Sequence, residues 1–390
     1  MIDSEKNIKS SISINDKIFQ SEGIKNEIKL GELLPGKSYS YKIKINDTPI
    51  EYSGTFTTDT GKPEFKFAVF CDSRGGYGYG ESTTGTNFNS VYNLMIRAAN
   101  KDAAFIVFPG DLIDGYSNNV KKIREQYATW KKAVEPIGGI IPVYEGIGNH
   151  EMVTKKIVKN SKNYRFNNDP PYSTEDIFAD EFVNPGNGPE SKPGSPTFKE
   201  NVYSFQYGSC TFIMLNNCYN MGSFETENYY LQGYLQDVQL EWLENELKKA
   251  RDSDRIFVFL HLPPFPNGGH IHDSMYYSGK SEKFNKMREK FTRMLSEYNV
   301  DIVFAGHEHN YNRTLINNDV DPEIKNPYWQ IITGGAGAPF YIQDKKTPWK
   351  NNVKAFSTQV HYVIVHITQN KVKLTTYSDQ DQIIDEFTLN

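Results

Sequence analysis

From Phe65 onward the chain repeats one grammar: a short, mostly apolar run, a polar loop, then a stretch with helical periodicity. The apolar runs are FKFAVF, AFIVFP, IPVYEG, TFIML, RIFVFL and DIVFAG. Runs of that length, alternating with amphipathic segments, predict strands alternating with helices, which is the pattern of a layered α/β fold. The helical stretches are Asn89 to Asn100, Val120 to Val134, Asp237 to Arg251 and Glu282 to Tyr298. The third is strongly amphipathic through Leu240, Trp242, Leu243 and Leu247. After Tyr328 the chain returns to strands: WQIITGG, HYVIVHIT, KVKLTTYS and IIDEFTLN. Residues 152–200, rich in Asn, Pro and Gly, read as a long insertion with little regular structure, the usual form of a functional lid or rim.

The first sixty residues follow a different rule. SSISIND, EIKL, SYSYKIKIND and IEYSGTFTTD alternate apolar and polar side chains, which predicts a small antiparallel sheet. A Pro-Gly turn in LLPGKSYSYKIKI feeds a Tyr-rich strand, and TGKP at 60–63 reads as a linker. The expected division is therefore an all-β module over 1–61 and an α/β domain over 65–390.

Composition narrows the function. The net charge of −5 is small for 390 residues, and Lys and Arg are spread rather than clustered, so there is no electrostatic footprint for nucleic acid or anionic lipid. No apolar window approaches the roughly 18 residues of a membrane span, and MIDSEKNIKS lacks the apolar centre of a signal peptide. An exported form would already have lost its signal. The three cysteines, Cys71, Cys210 and Cys218, show no CxxC spacing and read as small buried apolar residues, although Cys210 and Cys218 can pair across a hairpin in an oxidising compartment.

The chemistry gathers where the apolar runs end. FAVFCDSRGG ends in Asp72, VFPGDLIDG in Asp111, EGIGNHE in Asn149 and His150, FVFLHLPPF in His261, and FAGHEH in His307 and His309. In layered α/β sheets the C-terminal edge of the strands is where ligands bind. One Asp or Asn after a strand is an ordinary turn former, but five segments delivering carboxylate, amide and imidazole to one rim exceed what turns require. In GHEH, alternate residues of an extended segment would point two imidazoles the same way.

The ordered set D, GD, GNHE, H, GHEH resembles the calcineurin-like metallophosphoesterases, and GHEHNYNR matches the GHxHxYxR form of their purple acid phosphatase branch. LLPGKSYSYKI and GTFTTDTG resemble the end of that branch's fibronectin-III-like N-terminal domain; VYSFQYGSCTFIMLNN and QLEWLENEL resemble its core. The resemblance covers nearly everything after residue 27, and residues 1–26 are too few to complete such a sandwich. It implies a four-layer α/β/β/α sandwich of two mixed sheets behind a small, truncated β-module. It also implies two divalent or trivalent ions about 3.5–4 Å apart, with a hydroxide between them as nucleophile. By resemblance Asp111 bridges the ions, Asn149, His261 and His307 complete one site, and Asp72 and His309 serve the other. Mixed oxygen and imidazole donors suit Fe, Mn or Zn. His150 is carried over as the group that contacts phosphate or assists departure, and His270 or His272 in PPFPNGGHIHDS as a further active-site histidine.

Two departures stand out. The branch's first motif is DxG and its second GDxxY, with the tyrosine as a metal ligand; here they read DSR and GDLID. Arg74 has no lone pair to give, which leaves it to grip a phosphate oxygen or to pair with Asp72 or Asp114. Asp114 stands where the tyrosine would, so it is the expected fourth ligand beside Asp72, Asp111 and His309. The expected function is hydrolysis of a small phosphomonoester or phosphodiester by a binuclear centre. The alternative is a catalytically impaired relative that binds a phosphorylated ligand, and a nuclease is disfavoured by the lack of a basic groove. Tyr172, Phe178 and Phe182 are candidates to line a pocket for an aromatic leaving group, or to pin the insertion to the core. The resemblance and the β-module favour export.

Overall fold

A computed structural model of the chain describes residues 2–45, 51–75, 83–156, 165–166, 173–193, 195–219 and 232–389. Strands β1 (Ile2–Ile14), β2 (Lys17–Asn26), β3 (Ser38–Ile45) and β4 (Glu51–Thr57) form one antiparallel sheet in the order β2-β1-β3-β4. EIKL, expected as a strand, lies outside it, and KIFQSEGIKN takes that place. The cause is a two-residue hairpin: Asn15 and Asp16 sit at φ 47° and 65°, so Ile14 pairs Lys17. Positive φ at both central residues matches the right-handed twist of the flanking strands. Among the described residues no second sheet completes a fibronectin-III-type sandwich. The module instead docks on the α/β body. The Lys25 ammonium donates to the carbonyl oxygens of Ala179 (2.7 Å) and Phe182 and pairs with Glu200 at 2.8 Å, and the Tyr41 hydroxyl donates to Gly139 O at 2.7 Å.

The α/β body begins with β5 (Phe65–Val69), β6 (Ala103–Phe108) and β7 (Val143–Glu145), mutually parallel. Helices α1 (Phe88–Asn100) and α2 (Val120–Gly138) connect them. A short hairpin follows, β8 (Thr154–Lys156) with β9 (Arg165–Phe166), then α3 (Thr174–Glu181). The second sheet holds β10 (Tyr203–Tyr207), β11 (Cys210–Met214), β12 (Arg255–Phe259), β13 (Ile302–Ala305), β14 (Tyr311–Ile316), β15 (Tyr328–Thr333) and β16 (Val353–Ser357). Its order is β10-β11-β12-β13-β15-β14-β16, with α4 (Asp237–Lys249) and α5 (Glu282–Glu297) in its crossovers. The chain then returns to the first sheet as β17 (His361–Thr368), β18 (Lys371–Ser378) and β19 (Ile383–Leu389), in the order β19-β18-β17-β5-β6-β7.

Why the central runs are apolar throughout is visible in β5 and β12. Phe67, Val69, Phe257 and Phe259 face the space between the two sheets, while Ala68 and Phe70 face α1 and α2, and Val258 and Leu260 face α4 and α5. Strands covered on both faces have no polar side to alternate. Between the sheets, Phe67 stacks on Phe105 and meets Phe212 edge-on, both at 5.2 Å. The layers are thus helix, sheet, sheet, helix, as expected.

Two local expectations are corrected, and the cysteines take the reading expected of them. Helix α2 passes Val134 and runs through Pro136; Lys132, whose carbonyl loses its helical donor, lies on the exposed side of the helix. Cys210 and Cys218 do not pair: all three cysteines are free and buried, Cys210 between the sheets and Cys218 under the first helix layer. The insertion contains α3, capped by the Ser173 hydroxyl on the Asp176 N–H at 3.0 Å. Phe178 and Phe182 on and after that helix pack on Tyr127 and Trp130, so they pin the insertion rather than line a pocket. Tyr172 lies outside the described residues.

Candidate metal centre

The parallel strands of both sheets deliver their C-terminal ends to one edge. Asp72 follows β5, Asp111 follows β6, Asn149 and His150 follow β7, His261 follows β12, and His307 and His309 follow β13. The loops are stitched by backbone contacts: Ser73 N donates to Asp111 O at 2.8 Å, Gly306 N to His261 O at 2.9 Å, and His307 N to both Asp72 carboxylate oxygens at 3.0 Å. The approach is close enough to explain GD and GN. A Cβ on Gly110 would lie 2.4 Å from Gly148 N, and one on Gly148 would lie 2.2 Å from Asp111 Oδ1. Asp72, Asp111, His307 and His309 all sit at positive φ (65°, 53°, 69° and 43°), a backbone state that side-chain-bearing residues adopt at a cost and that gathers at functional sites.

The positive φ values of His307 and His309 overturn one expectation. The GHEH segment is a turn, not an extended strand end, so its imidazoles diverge. His307 Nδ1 lies 2.8 Å from Asn149 Oδ1, and His309 Nε2 lies 3.5 Å from Asp72 Oδ1. Asp111, His261 and His307 place donor atoms within 4.8 Å of one another, and Asp72, Asp111 and His309 do the same, so Asp111 belongs to both groups.

Each imidazole is oriented from behind. His261 Nδ1 is 3.1 Å from Pro109 O and His309 Nδ1 is 2.6 Å from Pro339 O, contacts in which the ring N–H donates and leaves Nε2 facing the cluster. His307 turns Nε2 to Asp273 at 3.4 Å and presents Nδ1 inward. Inside, His261 Nε2 is 3.1 Å from Asp111 Oδ1 and 3.2 Å from Asn149 Oδ1.

Whether these residues fit metal ions is decided by what they leave unsatisfied. Asp111 Oδ2 is buried with no hydrogen-bond partner, and a bare buried carboxylate oxygen is expensive. Burial, with Asp111 beside it, pushes Asp72 up, whereas the imidazoles of His261 and His150 outweigh burial and hold Asp111 well below the usual carboxylate range. Burial would lower His261, but Asp111 and Asp72 hold it up to about 9, a proton standing where a cation would. Oxygen and imidazole donors converging on an unmatched carboxylate fit a borderline metal such as Zn, Mn or Fe. Cys71 adds no thiolate, since burial raises its thiol and its Sγ donates to Gly110 O at 3.0 Å.

The remaining predicted residues divide. His150 is fixed by its N–H on Asp111 Oδ1 (2.9 Å) and its ring Nδ1 on Asp114 O (2.8 Å); burial lowers it to about 3, with the Arg74 charge adding to that against Asp111. Arg74 is 7% exposed, its Nε has no partner, and it makes no ion pair with Asp72 or Asp114 within 4.0 Å. His270 reaches the site, its ring 4.2 Å from that of His307. His272 does not: its side chain is 67% exposed at the rim. The Asp114 carboxylate joins none of the donor groups among the described residues; its backbone carbonyl holds His150 instead.

Sequence reading missed the groups that brace the ligands. Glu151, fully buried, accepts N–H bonds from Asp111, Leu112, Ile113 and Gly148 at 2.6–3.3 Å and so ties the GD loop to the GNHE loop. Glu308, between the two GHEH histidines, accepts from Asn267, Gly268 and His270 N–H and holds the loop that carries His270. Asp273 sits 3.1 Å from His270 Nδ1, and Tyr116 accepts the Asn149 amide N–H at 2.9 Å.

Residues 55–311 match the calcineurin-like phosphoesterase family model. Among curated relatives, the chain is 28% identical to purple acid phosphatase 23 of Arabidopsis thaliana over 207 residues, covering 51% of this chain and 36% of that protein. It is 26% identical to probable purple acid phosphatase 20 of the same plant over 290 residues, covering 74% and 55%. The chain spans about half the length of the curated relatives it matches. Its fold is similar to that of purple acid phosphatase PPD1 from yellow lupin (Lupinus luteus) seeds, with TM-score 0.68 and 17% identity over 98% of this chain and 69% of that one. A family match over most of the chain, on the segments that carry the converging ligands, means that this protein belongs to the calcineurin-like phosphoesterase family.

Proposed function

We propose that the chain is a binuclear metal-dependent phosphoesterase that hydrolyses small phosphate esters. The observation that carries this is Asp111, which belongs to two donor groups at once and has a buried oxygen without a partner. In this reading Asp111 with Asn149, His261 and His307 holds one ion, and Asp111 with Asp72 and His309 holds the other. Two bound ions of Fe, Mn or Zn would supply Lewis acidity and a nucleophile ionised from water near neutral pH. The chain's own residues do the rest. His270, held by Asp273, flanks the cluster where a leaving oxygen takes a proton, while His150, kept neutral by burial with its ring N–H on the Asp114 carbonyl, stands beside Asp111 to meet the phosphate. Both rings are held by these partners before substrate arrives.

The test is hydrolysis of p-nitrophenyl phosphate and bis(p-nitrophenyl) phosphate by protein supplied with Mn, Zn or Fe. Turnover that disappears on chelation and falls at least about a thousandfold in Asp111→Asn is expected. A second reading has one observation behind it: among the described residues the Asp72 and His309 group has no fourth protein donor. A catalytically impaired protein that binds a phosphorylated ligand would show occupied metal sites and no turnover with any of the three metals.

A further inference from the structure

Arg74 is the buried charge that the metal ligands leave over. Its backbone is locked: Arg74 N donates to Asp111 O at 3.1 Å and Arg74 O accepts from Asn87 Nδ2 at 2.6 Å. Its guanidinium is therefore presented from a fixed stem beside the donor cluster, and its charge bears on Asp114, His150 and His309. No carboxylate lies within ion-pair distance among the described residues, and Nε is buried without an acceptor. A guanidinium so placed costs free energy unless an anion completes it.

Among the described residues, the side chain its guanidinium approaches is the Tyr341 hydroxyl. That tyrosine is built in from three sides. Its ring lies 4.9 Å from the His309 ring and 4.6 Å from the His270 ring, edge-on to the latter. A Cβ on Gly269 would come within 2.7 Å of it, so Gly269 is what lets the ring sit over the loop. Tyr341 spans from a candidate metal ligand to a candidate proton donor, with Arg74 beside its hydroxyl.

We propose that Arg74, steered by Tyr341, is a seat for a non-bridging phosphoryl oxygen of the ligand, so that Tyr341 is a positioning residue for recognition. The proposal rests on the phosphoesterase reading for the identity of its ligand. A planar fork of N–H donors matches two oxygens of a tetrahedral oxyanion, and an ammonium does not reproduce that geometry.

The experiment uses inorganic phosphate as probe. Binding to manganese-loaded protein is measured by calorimetry for wild type, Arg74→Gln, Arg74→Lys and Tyr341→Phe, with metal content determined for each. In parallel, KM and kcat are measured for p-nitrophenyl phosphate. Arg74→Gln is expected to weaken phosphate about 10- to 100-fold at unchanged metal content. Arg74→Lys should recover only part of the loss, and Tyr341→Phe, which keeps its ring packing, should weaken phosphate about threefold to tenfold and raise KM more than it lowers kcat. Phosphate binding within twofold of wild type in both Arg74→Gln and Tyr341→Phe overturns the proposal, as does metal loss that parallels the loss of phosphate. Wild-type protein that binds phosphate through Arg74 without turning over any ester sinks only the phosphoesterase reading.

Discussion

At the scale of single residues, the centre is organised by groups that touch no ligand. Glu151 is the clearest. One carboxylate with four backbone donors fixes the relative position of the Asp111 and Asn149 loops, which belong to different strands. Burial and the Asp111 charge push its carboxyl up, and those donors pull the other way. Glu151→Gln turns an amide N–H toward donors that need an acceptor. It should cost about 1–3 kcal/mol in a urea titration and weaken metal binding measured by calorimetry. A variant with both properties unchanged would show that the loops are placed by something else. The GNHE motif was legible, but Glu151's role was not, because spacing along a chain does not say which distant N–H groups a side chain will meet.

At the scale of elements, strand ends position the site and polar latches, Lys25 foremost, hold the N-terminal sheet to the α/β body. Lys25 at the end of β2 reaches two carbonyls after α3 and on it, and pairs with Glu200, whose side chain is only 2% exposed. Lys25→Met leaves Glu200 with Lys199 alone, at 3.2 Å. The expected result is a loss of about 1–3 kcal/mol, together with faster limited proteolysis of the β1–β4 segment; unchanged protease kinetics would assign the docking to the Tyr41 hydroxyl on Gly139 O and to Asp59, which accepts the Gly208 N–H at 2.8 Å. Short apolar runs made the strands of the body legible. β2 was hidden because its inward positions include Ser21 and Gly23, and its true marker was the Asn15-Asp16 turn. Helix α3 was hidden for a related reason, since eight residues inside a polar insertion leave little periodicity, and only the Ser173 cap marked its start.

At the scale of the whole molecule, two kinds of buried charge should govern stability. Burial raises Glu145 from 4.5 to about 8 against the pull of Lys131 and Asn184. The folded chain then keeps a proton that the unfolded chain gives up. Its contribution is complete below about pH 4.5 and is lost as pH rises toward about 8, at no more than about 1.4 kcal/mol per unit. Between about pH 5 and pH 8, wild type should therefore lose more stability in urea than Glu145→Gln, and parallel curves would refute this. In the proposed reading the Asp111 cluster holds ions only when folded, so chelation should lower the melting temperature, and more metal in excess of its dissociation constant should raise it. A melting temperature indifferent to chelator and to added Mn or Zn would leave Asp111 Oδ2 unexplained. By itself the sequence determined the layered architecture, because two-sided burial leaves no polar alternation, and it determined the ligand types, because strand-end residues are placed by strands alone. What only the tertiary structure decided was placement: the turn at GHEH that sends two histidines apart, the exposure of His272, an Asp114 carboxylate outside both donor groups, and an arginine left without a counter-charge among the described residues. Those depend on which loops from two different sheets come within a hydrogen bond of each other, a distance that no local pattern encodes.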